Sequence, residues 1–102
     1  MSRLIVSLKA WADTSDVIKD LANKAGHGVA VAYAAFFARV NERLAEFPNS
    51  GARRPDLGPR VRICVVSPYI VIYEHMEADD TVVVLRIVHG RRKIRRKFLR
   101  ES

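Results

Sequence analysis

Residues 61–89 read VRICVVSPYIVIYEHMEADDTVVVLRIVH. Three runs rich in β-branched and aromatic residues, 61–66, 69–76 and 81–89, are separated by Ser67-Pro68 and by the polar tetrad 77–80. Such runs between turn residues predict strands. Connections this short make neighbours antiparallel. A two-residue turn at Ser67-Pro68 sets Val66 opposite Tyr69, Cys64 opposite Val71 and Arg62 opposite Tyr73, and paired residues share a face. An even-length second turn sets Tyr73 opposite Val84 and Val71 opposite Arg86. One face then carries Val61, Ile63, Val65, Ile70, Ile72, Val83, Leu85 and Ile87. The other mixes Arg62, Tyr69, Tyr73, His75 and Arg86 with Cys64, Val66, Val71, Val82, Val84 and Val88. The apolar face, with Glu74 near its rim as the main polar exception, is expected to bury against the helical hairpin. The mixed face then needs cover, because monomers seldom expose apolar patches beyond roughly a few hundred Å². Either a partner segment or the C-terminal tail folded back supplies it. An odd-length turn would exchange the faces of the last strand.

Outward from this meander, RLIVSL (3–8) reads as a further strand. Residues 13–28 read as a helix, with N-cap candidates Asp13, Thr14 and Ser15, apolar positions Val17, Ile18, Leu21, Ala22 and Ala25, and stops at Gly26 and Gly28. Residues 29–47 form a stronger helical pattern, with Val29, Tyr33, Phe36, Phe37, Val40, Leu44 and Phe47 on one stripe and Arg39, Glu42, Arg43 and Glu46 on the other face. A three-residue break predicts an antiparallel helical hairpin. Pro48 ends it, and PNSGARRPDLGPR (48–60) is a loop by composition. The order is β-α-α-β-β-β: an α+β fold with a helical hairpin packed on one face of a small, mainly antiparallel sheet.

The 102 residues suit a single domain, 1–102, with a basic tail from about residue 91. An apolar share of 49% excludes a disordered chain. No run of 18 apolar residues is present, so no membrane span is expected, and the N-terminus lacks the pattern of a signal peptide. Cys64 is the single cysteine, with no disulfide or zinc partner; a cytoplasmic location is expected. The net charge of +7 favours polyanionic or acidic partners. Six of the seven residues 91–97 (RRKIRRK) are cations. In a helix they stack at i,i+4, each like-charge pair costing about 0.2–0.5 kcal/mol, so a tail that orders on a partner is expected. His89, at a strand end, is a candidate acid or base, though a lone histidine there is more often structural. His27 and His75 join no HxH or HExxH pattern, and GHG (26–28) is not a phosphate loop; no metal and no cofactor are expected.

RLAEFPNSGARRPDLGPRVR (43–62), YIVIYEHMEADDTVVVLRIVHGRRKI (69–94) and the order of elements together resemble the RelE/ParE superfamily of toxins, and within it the ParE branch. The resemblance implies a type II toxin–antitoxin module whose small basic toxin is neutralised by an acidic antitoxin. ParE-like toxins act on DNA gyrase, whereas RelE-like toxins cleave mRNA on the ribosome. RelE-type nucleases carry an arginine just after the third-strand tyrosine, where Ile70 follows Tyr69. They carry an arginine after the last strand, matched by Arg92, and a tyrosine near the chain end, where Phe98 stands. Phenylalanine cannot move a proton, so inhibition of gyrase by binding is the preferred expectation. A ribosome-dependent endonuclease and a non-toxic binding module of the same fold are the alternatives. From position and charge, the target contacts are expected to be Arg86, His89, Arg91, Arg92, Arg95 and Arg96, with no catalytic residue assigned. The antitoxin is expected on Arg62, Val71, Tyr73, Val84, Arg86 and Arg92. No membrane partner and no sequence-specific nucleic-acid binding by the protein alone are expected.

Overall fold

The computed structural model describes residues 1–100. β1 (Arg3–Val6) leads into α1 (Leu8–Ala25) and α2 (His27–Glu46). Then come β2 (Ala52–Arg53), β3 (Val61–Val66), β4 (Tyr69–Met76), a 3₁₀ turn (Glu77–Asp79), β5 (Thr81–His89) and α3 (Arg96–Arg100). The strands form one sheet in the order β1-β5-β4-β3-β2. β1 runs parallel to β5, and the other neighbours are antiparallel. Two helices on a mainly antiparallel sheet is the expected architecture. β2 and α3 are additions too short to leave a periodic signal. Among the described residues, no helix is long and apolar enough to cross a membrane.

The hairpin starts earlier than the caps at 13–15 predict. Ser7 is the N-cap: its Oγ accepts the Ala10 amide at 3.0 Å and donates to the Leu85 carbonyl at 2.9 Å. This ends β1 at Val6 and puts Asp13 inside α1. Gly26 alone separates the helices, at a φ of +96° that favours glycine. Gly28 lies within α2. Toward the sheet, α2 presents Ala30, Phe37 and Leu44 with the half-buried Tyr33 and Val40. The predicted stripe divides, leaving Val29, Phe36 and Phe47 exposed.

The β3–β4 register is as predicted, including Val66 opposite Tyr69 and Arg62 opposite Tyr73. Tyr73 also faces Val84, but a bulge then sets Ile72, not Val71, opposite Arg86 and brings Ile87 opposite Val71. An extra residue in one strand shifts everything beyond it to the other face.

The assignment of faces is reversed. The helical hairpin covers Val66, Tyr69, Val71, Tyr73, Val82 and Val84, the face expected to be open, and the bulge brings Ile87 onto it in place of Val88. Its polar members Arg62 and His75 lie toward one end of the strands, so they do not interrupt the core. The opposite face, around Val61, Ile72 and Val88, is covered by Leu57 and by Ile94, Phe98 and Leu99 of the tail. The tail therefore folds back on its own sheet, where α3 anchors it. α3 begins only at Arg96, so the i,i+4 cation pairs expected over residues 91–97 do not form, and burial of Ile94, Phe98 and Leu99 holds the tail in place.

Candidate functional site

Arg86 sits where β1 has ended and β5 would otherwise present a bare edge. Asp13, one turn into α1, fills that gap. Its Oδ2 accepts from Arg86 Nε at 2.6 Å and from the Ile87 amide at 3.0 Å, and its Oδ1 accepts from Arg86 Nη2 at 2.8 Å. The two side chains are only 13% and 14% exposed, so this bidentate pair is largely shielded from water. Hydrogen bonding to Asp13, against the opposing effect of burial, holds the Arg86 guanidinium above its ordinary pKa.

The same guanidinium meets the tail. The Arg86 and Arg92 guanidinium carbons each lie 4.1 Å from the centroid of the Phe98 ring. The ring lies between two cations, an arrangement favoured by its π-electron density. The chain reaches this stack by a fixed path. Gly90 donates its amide to the Pro68 carbonyl at 2.7 Å, and Arg92 donates to the His89 carbonyl at 2.9 Å. His89 Nδ1 accepts the Arg91 amide at 3.1 Å, which leaves Nε2 carrying the hydrogen in the neutral ring. The His89 ring stands edge-on to Tyr69. Among the described residues, no carboxylate lies within ion-pairing distance of His89.

Of the expected target contacts, His89, Arg91, Arg92, Arg95 and Arg96 are exposed; His89 ends β5, whereas Arg96 lies across the sheet beside Pro59 and Val61. Arg86 is not a free contact, because Asp13 and Phe98 hold it inward. The expected antitoxin contacts need more correction. Val71, Tyr73 and Val84 have no accessible surface, because the hairpin lies over them. The Tyr73 hydroxyl donates to the Pro48 carbonyl and accepts the Gly51 amide, both at 2.9 Å. Arg62 is half-buried and donates to the carbonyls of Asn49 at 3.2 Å and Gly51 at 2.8 Å.

A groove that the sequence reading missed runs between α2 and the end of β3. Ala32, Tyr33, Phe36, Val65, Val66 and Ser67 line a volume of about 330 Å³, mostly apolar. Phe36 is 45% and Val65 67% exposed. Arg39 lies over the Phe36 ring, and Arg43 over that of Phe47 further along the helix. One signal was available: Phe36 and Phe37 are adjacent, and successive helical positions cannot both face the core.

A helical hairpin on a β1-β5-β4-β3-β2 sheet, with a basic tail strapped across the other face, gives this chain the RelE/ParE-like fold. A chain of the chromosomal ParDE system from P. aeruginosa superposes with a TM-score of 0.73 at 23% identity, over 87% of this chain and 96% of that one. A chain of the RelBE2 toxin–antitoxin complex from Mycobacterium tuberculosis superposes with a TM-score of 0.51 at 19% identity, over 86% and 96%. At the level of sequence, residues 4–94 match the ParE toxin family of type II toxin–antitoxin systems, parDE. Toxin ParE3 of Caulobacter vibrioides is 36% identical over 91 residues, 89% of each chain. The protein belongs to the ParE toxin family and is a ParE-like toxin of a type II toxin–antitoxin system.

Proposed function

We propose that this toxin arrests growth by binding DNA gyrase, and that a cognate acidic antitoxin neutralises it. The observation that carries the gyrase reading is Phe98. At the chain end, where RNA cleavage by the related nucleases employs a hydroxyl, this protein packs a hydrocarbon ring between Arg86 and Arg92. Cleavage at a 2′-oxygen requires a proton to be removed there and the leaving oxygen to be protonated or stabilised. Arginine supplies charge but does not exchange protons near neutral pH. The arrangement supports binding rather than chemistry.

In this reading Arg91, Arg95, Arg96 and His89 contact gyrase, with Arg92 at the margin. Arg86 acts as a positioning residue that fixes Phe98 and, through it, the tail. The antitoxin docks in the α2–β3 groove, with an apolar side chain between Phe36 and Val65 and carboxylates near Arg39 and Arg43. Arg62 and Arg92 remain at the margins of its footprint. The net charge of +7 favours an acidic partner.

Expression in a bacterial host tests this reading. Growth should stop with induction of the DNA-damage response while protein synthesis continues, and co-expression of the antitoxin should restore growth. Arrest that begins with loss of protein synthesis and cut mRNA would assign the protein to the ribosome instead.

A further inference from the structure

At the other end of the sheet from His89, the start of β3 and the end of β4 close a second cavity with the 49–60 loop. Asn49, Arg53, Arg60, Arg62, His75 and Glu77 are among the residues lining its volume of about 290 Å³. That is close to the lower bound of small-molecule sites, roughly 300–1,000 Å³, but the lining here is polar rather than apolar.

The charges in this cavity are unbalanced. Arg54, in the same loop, has its own carboxylate: Asp56 accepts from its Nε at 2.9 Å and its Nη2 at 2.8 Å. Among the described residues, no carboxylate pairs with Arg53, Arg60 or Arg62. Arg62 is held by the carbonyls of Asn49 and Gly51, which orient its guanidinium without neutralising it. His75 is engaged by Asp80 Oδ1 at 3.1 Å and Asn49 Oδ1 at 3.3 Å. Glu77 is the one carboxylate in the lining, so three guanidinium groups against one carboxylate leave two positive charges. A dianion restores the balance, and arginine forks match the oxygens of a phosphoryl group better than a lone carboxylate uses three of them.

We propose that this cavity binds a phosphate-bearing ligand, with Arg53, Arg60 and Arg62 as its guanidinium clamp. No tail residue is among those lining the site, although Pro59 and Val61 also border Arg96, and the site is independent of the choice of gyrase as target. Terminal phosphoryl groups of a small molecule and internal phosphates of a nucleic acid share the chemistry it recognises.

Calorimetric titration with inorganic pyrophosphate tests the site. The clamp variant is Arg53→Ser/Arg60→Ser, which leaves Arg62 to hold the loop; the control is Arg91→Ser/Arg95→Ser in the tail. The clamp variant should weaken binding at least about tenfold and the control less than about twofold. In NMR spectra, pyrophosphate should shift the His75 ring resonances and leave those of His27 in place. No binding by the wild type, equal weakening by both variants, or weakening by the tail variant alone would overturn the proposal. A single-stranded oligonucleotide without terminal phosphates separates the sources. If the clamp variant also weakens this ligand, internal phosphates are recognised; if only pyrophosphate is affected, terminal phosphoryl groups are. Either result supports the site.

Discussion

Tyr73 has no accessible surface, and its hydroxyl ties residues 48–51 to the sheet through the Pro48 carbonyl and the Gly51 amide. Tyr73→Phe keeps the ring and strands both partners, so unfolding should require less denaturant, by about 1–3 kcal/mol at unchanged m-value. Gly51 is fixed by the same contact: a Cβ there would stand 2.5 Å from the Tyr73 hydroxyl and 2.6 Å from the Ile63 carbonyl. Gly51→Ala should therefore destabilise by about 1–3 kcal/mol, read by the same method. The turn around Pro48 and Gly51 was legible in the sequence. The reason for its glycine was not, since the obstructing hydroxyl belongs to a strand residue 22 positions later. Asp80 offers a pH-dependent check. Hydrogen bonds from Ser2 and then His75 hold its carboxyl below the ordinary carboxylate pKa. A depressed folded-state pKa stabilises above the unfolded value and loses that contribution as pH falls through the folded one. Wild type should exceed Asp80→Asn in stability at pH 7, and the difference should shrink as pH falls below about 4. A gap that holds constant into acid would show that the carboxylate is not the source.

At the scale of elements, the tail is where the sequence reading and the structure differ most. Charge alone predicts a segment waiting for a partner. Ile94, Phe98 and Leu99 pack it on the face that contains Ile72 and Val88, and Arg86 and Arg92 flank Phe98. Phe98→Ala should raise amide hydrogen exchange across residues 94–99 and lower stability by about 2–3 kcal/mol, from lost burial and lost cation–π contact. Unchanged exchange would mean that the remaining apolar contacts hold α3 without the stack. Cutting the chain after Gly90 would expose Ile72 and Val88, so loss of toxicity on truncation would mix destabilisation with lost contacts. Arg91→Glu/Arg95→Glu changes charge at exposed positions and isolates the contacts. The same topology explains the reversed faces. Local turns gave the meander and most of its register, but which side the hairpin covers depends on the crossover from β1 to its parallel partner β5. That pairing joins residues 3–6 to 81–84 and leaves no local pattern. The bulge at Leu85-Arg86 was equally hidden, because Asp13, which takes up the Ile87 amide beyond it, lies 74 residues away.

For the whole molecule, closure of both sheet faces by the chain itself moves the proposed interaction surfaces to the α2–β3 groove and the basic tail. Composition and resemblance point to the second; the first requires knowing which of two adjacent phenylalanines faces outward. Groove and tail adjoin where the Pro68 carbonyl accepts the Gly90 amide, but Phe36 and Val65 belong to the groove alone, so substitutions there can divide the two. Phe36→Glu with Val65→Asp should abolish antitoxin capture in a pull-down while leaving toxicity intact, since both side chains are already exposed. Loss of toxicity together with capture would mean that target and antitoxin compete for one groove. Inhibition by docking is measured most directly by the supercoiling of relaxed plasmid by purified gyrase. Titrated toxin should inhibit the reaction, and Arg91→Glu/Arg95→Glu should raise the concentration required at least about tenfold through loss of charge-assisted contacts. Undisturbed supercoiling at a large excess of folded toxin, with site-specific cuts in ribosome-bound message from the same preparation, would contradict it.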